Sequence, residues 1–217
     1  MSKEEKLIKL SMAQTDSLME LGTIGSGNAV VALSKMLNCT IDMSLTGVNL
    51  IPFNELSNIL GNPYIKVFGI FSKVKGKTDL SIIQIFTMES IVSFVNTICE
   101  NFKKFNIKYI KSINDLNDLS DSAKDLILEI GSILAGAYCS ALANLMSIKL
   151  IPDVPILELD AISVITNNLI KKYSVIADSL ILINTKFSLQ EISLNGIFCF
   201  IPSLKTLDTL FKLINVE

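Results

Sequence analysis

Glu20-Leu21-Gly22-Thr23-Ile24-Gly25-Ser26-Gly27-Asn28-Ala29 and Glu129-Ile130-Gly131-Ser132-Ile133-Leu134-Ala135-Gly136-Ala137-Tyr138 are two versions of one stretch. Sliding the chain by 109 residues lays Asp16–Ile41 over Asp125–Leu150. Seven positions are then identical: Asp16/Asp125, Glu20/Glu129, Gly22/Gly131, Ile24/Ile133, Gly27/Gly136, Ala32/Ala141 and Leu33/Leu142. Thr23/Ser132 and Met36/Leu145 are similar. Two copies of half a chain predict one domain with a pseudo-twofold repeat, because a solenoid needs three or more shorter units.

Each copy reads as a long helix. Leu18, Leu21, Gly25, Ala29, Ala32, Leu33 and Met36 fall at helical spacing, with Thr15 or Asp16 available as N-cap. Leu126, Ile130, Ile133, Ala137, Ala141 and Leu145 repeat the pattern. Strand-like runs follow the first helix at Met43–Phe53, Tyr64–Lys73 and Asp79–Met88, then a helix over Glu89–Lys104. After the second helix come a strand at Val154–Leu159, a helix at Asp160–Lys172, strands at Ser179–Phe187 and Ile192–Ile201, and a closing helix at Ser203–Ile214. The hairpins imply antiparallel pairing. The expected class is α+β: one domain over residues 1–217, with halves at about 12–105 and 121–217 joined by a polar linker at about 106–120.

The repeated glycines invite a phosphate-loop reading of Gly22–Gly27. Such a loop needs a strand before it and a helix after it, whereas the residues before Gly22 are helical and no Lys-Ser/Thr follows. Close packing is the better explanation, since an interior helical Gly costs about 1 kcal/mol against Ala. The apolar stretch Leu126–Met146 approaches membrane-spanning length. Glu129 near its middle would cost about 2.5 kcal/mol or more on insertion scales, so a buried core helix is expected and no membrane insertion.

Two absences narrow the chemistry. The chain has no His, and its 19 basic residues are all Lys. That excludes imidazole bases, His-ligated metals and arginine fingers from its own side chains. A net charge of -2 argues against nucleic acid as a partner. The run Lys73-Val74-Lys75-Gly76-Lys77 reads as a solvated hairpin turn. With 50% hydrophobic residues, a chain of this length can bury roughly 70% of its unfolded surface without a staple. Cys39, Cys99, Cys139 and Cys199 form no CxxC pair, and Met1–Lys6 lacks the apolar stretch of a signal peptide. Reduced thiols and a cytoplasmic location are expected.

Residues three or four apart share a helix face. Asp16, Glu20 and Thr23 therefore form one polar stripe, and Asp125, Glu129 and Ser132 another. An acidic stripe is commonly a solvated face. Here it occurs twice, at corresponding places in otherwise apolar helices, and that points to recognition.

The two quoted stretches resemble the signature helices of CheC, in the CheC/CheX/FliY family of phosphatases that act on the chemotaxis response regulator CheY. The resemblance spans nearly the whole chain. The family motif is Asp or Ser, three residues, Glu, two residues, Asn, and a later Pro. It implies that the Glu pairs with a Lys on CheY and that the Asn holds the attacking water in line with the aspartyl phosphate. CheY supplies the phosphorylated Asp and the divalent metal, so no cofactor is expected on this chain.

Carried over residue by residue, the motif gives Glu129, Ser132, Glu20 and Thr23 as catalytic positions, with Asp125 and Asp16 for docking. Pro155 stands at the required spacing in the second copy, while Thr46 replaces that Pro in the first. Both Asn positions are substituted, by Ser132 and Thr23. Asn28 lies eight residues past Glu20 and is expected to face elsewhere. The resemblance therefore implies a protein that docks on a CheY-type receiver with weakened or lost hydrolysis. CheD, the deamidase that CheC proteins bind, is a further expected partner, and the chain is expected to act as a monomer.

Overall fold

The Ser11 hydroxyl accepts the Gln14 amide while the Gln14 side chain accepts the Ser11 amide, and this reciprocal cap starts α1 (Met12–Leu37). The start comes one turn before the expected cap at Thr15 or Asp16, because the Ser11/Gln14 pair satisfies two orphan amides at once. The second long helix, α4 (Asp121–Met146), begins at Ser120, whose hydroxyl accepts the Ala123 amide. Both helices have 26 residues, and both end on a left-handed residue at a corresponding position, Asn38 and Ser147.

The structure is a computed structural model that describes residues 10–76, 78–102, 106–189 and 192–214. The other elements are β1 (Asp42–Pro52), α2 (Leu56–Leu60), β2 (Lys66–Gly76), β3 (Leu80–Thr87), α3 (Met88–Asn101), β4 (Leu150–Pro152), β5 (Ile156–Ala161), α5 (Ile162–Tyr173), β6 (Ser179–Leu189), β7 (Ile192–Pro202) and α6 (Leu204–Ile214). All seven strands pair antiparallel in one sheet ordered β1-β6-β7-β3-β2, with β4 and β5 as successive segments beyond β2. That order reads the same from both ends: the hairpins β2–β3 and β6–β7 meet at β3–β7, and β1 mirrors β4–β5. The equivalence extends to the edge. β1 bulges around Thr46, while the opposite edge breaks between β4 and β5 around Pro155.

The sheet separates two cores. On one face Leu50, Phe68, Ile70, Ile82, Phe86, Phe198 and Phe200 pack beneath α1, α4 and α3. On the other Ile51, Ile83, Ile85, Leu182, Cys199 and Ile201 pack against Phe53 and Leu56 and against α5. Among the described residues, α4 is long and apolar enough to cross a membrane, but 61% of its apolar window is buried in this fold, against α1 and the sheet.

Several boundaries differ from the sequence reading. Lys73–Gly76 belongs to β2 rather than to a turn, with Lys75 in an ion pair to Asp153 at 2.9 Å. Lys77, the chain start Met1–Lys6 and Lys103–Lys104 lie outside the described residues. Residues 106–120, expected as a polar linker, insert Ile107, Ile110, Ile113 and Leu119 into the core. The Asn96 side chain clamps this segment, donating to the Ile110 carbonyl at 2.9 Å and accepting its amide at 2.7 Å.

Candidate functional site

The two 26-residue helices lie side by side on the sheet. Leu18, Leu21, Ala29 and Leu33 of α1 and Leu126, Ile130, Leu134 and Tyr138 of α4 point inward and are at most 4% exposed. Helical periodicity then turns the charged positions outward. Asp16, Glu20 and Thr23 are exposed, as are Asp125 and Glu129, while Ser132 is half-buried. The four carboxylates have no hydrogen-bond or ion-pair partner among the described residues. The nearest salt bridge on either helix is Lys124–Asp121, at 3.9 Å. Acids held this way on rigid helices are available to a basic partner.

The third member of each stripe is chemically different from an amide. Thr23 Oγ1 donates to the Met19 carbonyl at 2.9 Å, so its proton is used within the helix. The Ser132 hydroxyl makes no hydrogen bond among the described residues. Its hydroxyl ends one covalent bond nearer the backbone than an Asn amide and lacks the amide's separate donor and acceptor. Asn28 is exposed, yet eight residues displace it about 12 Å along α1 and about 80° around it from Glu20. It cannot act on an atom held beside Glu20.

The glycines divide into two groups, which corrects the expectation that all of them serve packing. A Cβ on Gly22 would lie 3.0 Å from Leu45 Cδ2, and one on Gly131 2.7 Å from Ile70 Cγ2. Gly25 faces the Tyr138 ring, with Cε1 2.8 Å from the added atom. Those three let helices settle on their neighbours. At Gly27 and Gly136 the added atom meets nothing within 4 Å. This repeated pair lies on the outward side, and on α4 it opens a shallow groove with Ser140, Ala143, Asn144 and Lys149.

Two buried polar tethers tie the helices to the sheet. Ser26 of α1 bonds the hydroxyl of Tyr138 on α4, which bonds Thr185 of β6 at 2.8 Å. Burial raises the Tyr138 pKa, and the two hydroxyl partners oppose that shift. On α4, the Gly131 carbonyl accepts from Gln84 Nε2 of β3 at 2.8 Å. Neither tether was anticipated from the sequence. Gln84 could have been, as a lone amide within the apolar run Ile82–Phe86. Cys139 and Cys199 are buried thiols, and burial pushes Cys139 up to about 12 and Cys199 upward as well. Among the described residues no three His, Cys, Asp or Glu converge as a metal site.

The fold is thus a palindromic antiparallel sheet under two related helices, each with an acid-and-hydroxyl stripe. The fold is shared with Thermotoga maritima FliY, at a TM-score of 0.68 and 11% identity over 95% of this chain and 98% of that one. It is also shared with the FliM middle domain from H. pylori, at 0.62 and 11% over 94% and 99%. In sequence, residues 14–44 match the CheC-like family. The chain is 29% identical over 172 residues to the CheY-P phosphatase CheC of Bacillus subtilis (strain 168), covering 79% of this chain and 78% of that protein. Over most of its length, then, the chain is similar to a chemotaxis phosphatase, and over residues 14–44 to the CheC-like family.

Proposed function

We propose that the chain docks on a CheY-type receiver domain through the acid-bearing faces of α1 and α4, and that it hydrolyses the receiver's aspartyl phosphate weakly or not at all. The observation that carries this reading is the contrast within each stripe. Asp16, Glu20, Asp125 and Glu129 all stand outward and unpaired, while the next position on each helix offers a hydroxyl in place of an amide. Relatedness to the B. subtilis CheY-P phosphatase supports the choice of partner.

In this reading Glu20 and Glu129 meet a receiver lysine, and Asp16 and Asp125 extend the acidic field one turn back. The receiver brings its phosphorylated Asp and its metal. The docking chain then needs to hold one water in line for attack, a task of positioning rather than of acid–base chemistry. Loss of such an orienting group costs on the order of 100- to 1,000-fold in rate. With Thr23 Oγ1 tied to Met19, the α1 face is the weaker of the two, and any residual hydrolysis belongs to Ser132.

Calorimetric titration with beryllofluoride-activated receiver tests the docking. Wild type binds, and Glu129→Ala weakens binding about tenfold, with affinity falling as salt rises because both partners are charged. Equal binding by wild type and the Glu20→Ala/Glu129→Ala double variant would remove the acidic stripes from the interface. Wild type that binds no receiver overturns the reading, and a pull-down with CheD then asks whether that deamidase is the partner instead.

A further inference from the structure

Gln84 lies fully buried in β3, at the centre of the sheet. Its Nε2 donates to the Gly131 carbonyl, and its Oε1 has no partner among the described residues. In a continuous helix the Gly131 carbonyl already receives the Ala135 amide, so the bond from Gln84 is a second one on a satisfied oxygen. An apolar side chain of similar size would orphan nothing and would remove a buried unpaired acceptor. Stability therefore does not explain an amide at this position.

Location does. Gly131 sits between Glu129 and Ser132, and its missing side chain lets α4 settle on Ile70 of β2. Contacts of that kind are non-directional and hold a helix down without fixing its position along its axis. A hydrogen bond to one carbonyl is directional and fixes it. α1 has no such bond within its stripe; its Ser26 reaches the sheet only through Tyr138 of α4, whose bond to Thr185 lies six residues past Ser132 and so leaves Gln84 as the bond within the stripe itself.

We propose that Gln84 is a positioning residue for the α4 docking face, fixing Glu129 and Ser132 relative to the sheet through the Gly131 carbonyl. The functional half of this inference rests on the receiver-docking reading; the positional half does not. It also makes the two faces unequal, with α4 the better-defined site.

Gln84→Met in the full chain tests it, with Gln84→Leu as the second variant should Met fail to fold. The variant is expected to melt at or above the wild-type temperature. It should bind activated receiver at least fivefold more weakly. That loss should vanish in a Glu129→Ala background and persist in a Glu20→Ala background. Amide exchange should quicken at residues 131–136 of α4 and stay unchanged in α1, a local effect that a globally more stable protein cannot produce by general loosening. Affinity within twofold of wild type, or equal losses in both backgrounds, overturns the role in docking. Unchanged exchange in α4 overturns the positioning itself. If wild type binds no receiver, the docking reading falls, and the exchange measurement alone decides whether Gln84 holds α4.

Discussion

Substituting alanine at five glycines gives a graded set of effects that the packing of α1 and α4 fixes in advance. At Gly27 and Gly136 an added Cβ meets no atom within 4 Å, so it gains helix propensity and restricts the unfolded chain at no steric cost. Each substitution should stabilise by about 0.4–1 kcal/mol. For a chain of this length, 1 kcal/mol moves the melting temperature by about 2–4 °C, so the Gly27→Ala/Gly136→Ala pair should melt about 2–8 °C higher. At Gly25 the same atom would overlap the Tyr138 ring, within 3.0 Å of three of its carbons. That ring is wedged against Phe198, with centroids 4.0 Å apart, and its hydroxyl is held by Ser26 and Thr185. It cannot swing away cheaply, so Gly25→Ala should destabilise by about 1–3 kcal/mol. Gly131→Ala, 2.7 Å from Ile70, should follow Gly25→Ala, and Gly22→Ala, against the movable end of Leu45, should fall between. Thermal unfolding followed by circular dichroism reads all five. Destabilisation by Gly27→Ala, or tolerance of Gly25→Ala, would refute the assignment of inward and outward faces.

Tyr138→Phe leaves two buried hydroxyls, Ser26 and Thr185, without their shared partner, and should cost about 1–3 kcal/mol in denaturant unfolding. Adding Ser26→Ala should recover part of that loss; no recovery would mean the three hydroxyls do not act as one chain. Asp118 has its pKa lowered chiefly by the backbone amides of Asn114 and Asp115. A lowered folded-state pKa gives stability that is present above the unfolded value of about 4 and is lost as pH falls through the folded value. Asp118→Asn should therefore lower stability at neutral pH and flatten its loss below about pH 4, and an unchanged acid limb contradicts this. Thiol labelling at pH 8 in the native state should spare Cys139, whose pKa is pushed up to about 12, and Cys199, while denaturant exposes both. Fast native labelling of either would show that the core opens.

The part of the fold legible in the sequence was the part written twice. One internal shift located α1 and α4 and turned Asp16, Glu20, Asp125 and Glu129 outward, and strand-like apolar runs located both hairpins. What escaped notice lacked a period to detect. The segment from Phe53 to Leu60, between Pro52 and Gly61, is too short to show helical spacing, yet it covers part of one sheet face. β4 has three residues. Ile107, Ile110 and Ile113 were hidden by the polar residues around them, and they are buried because Asn96 pins the backbone beside them. Spacing alone placed all six candidate site residues on the two stripes, and five of them are exposed, with Ser132 half-buried. The tie between Thr23 and Met19 could not be read from spacing, because the rotamer of a hydroxyl depends on its own backbone. Nor could the Gln84–Gly131 bond, which joins residues 47 apart in sequence.

The central claim, a docking protein that has lost its water-orienting amide, meets its most direct test in the decay of phosphorylated CheY. Phosphate release is followed with wild type, with Ser132→Asn, and with Ser132→Asn combined with Glu129→Ala. The account predicts little or no acceleration by wild type, clear acceleration by Ser132→Asn, and loss of that gain when Glu129 is removed. Strong acceleration by wild type that is indifferent to Ser132 would contradict it.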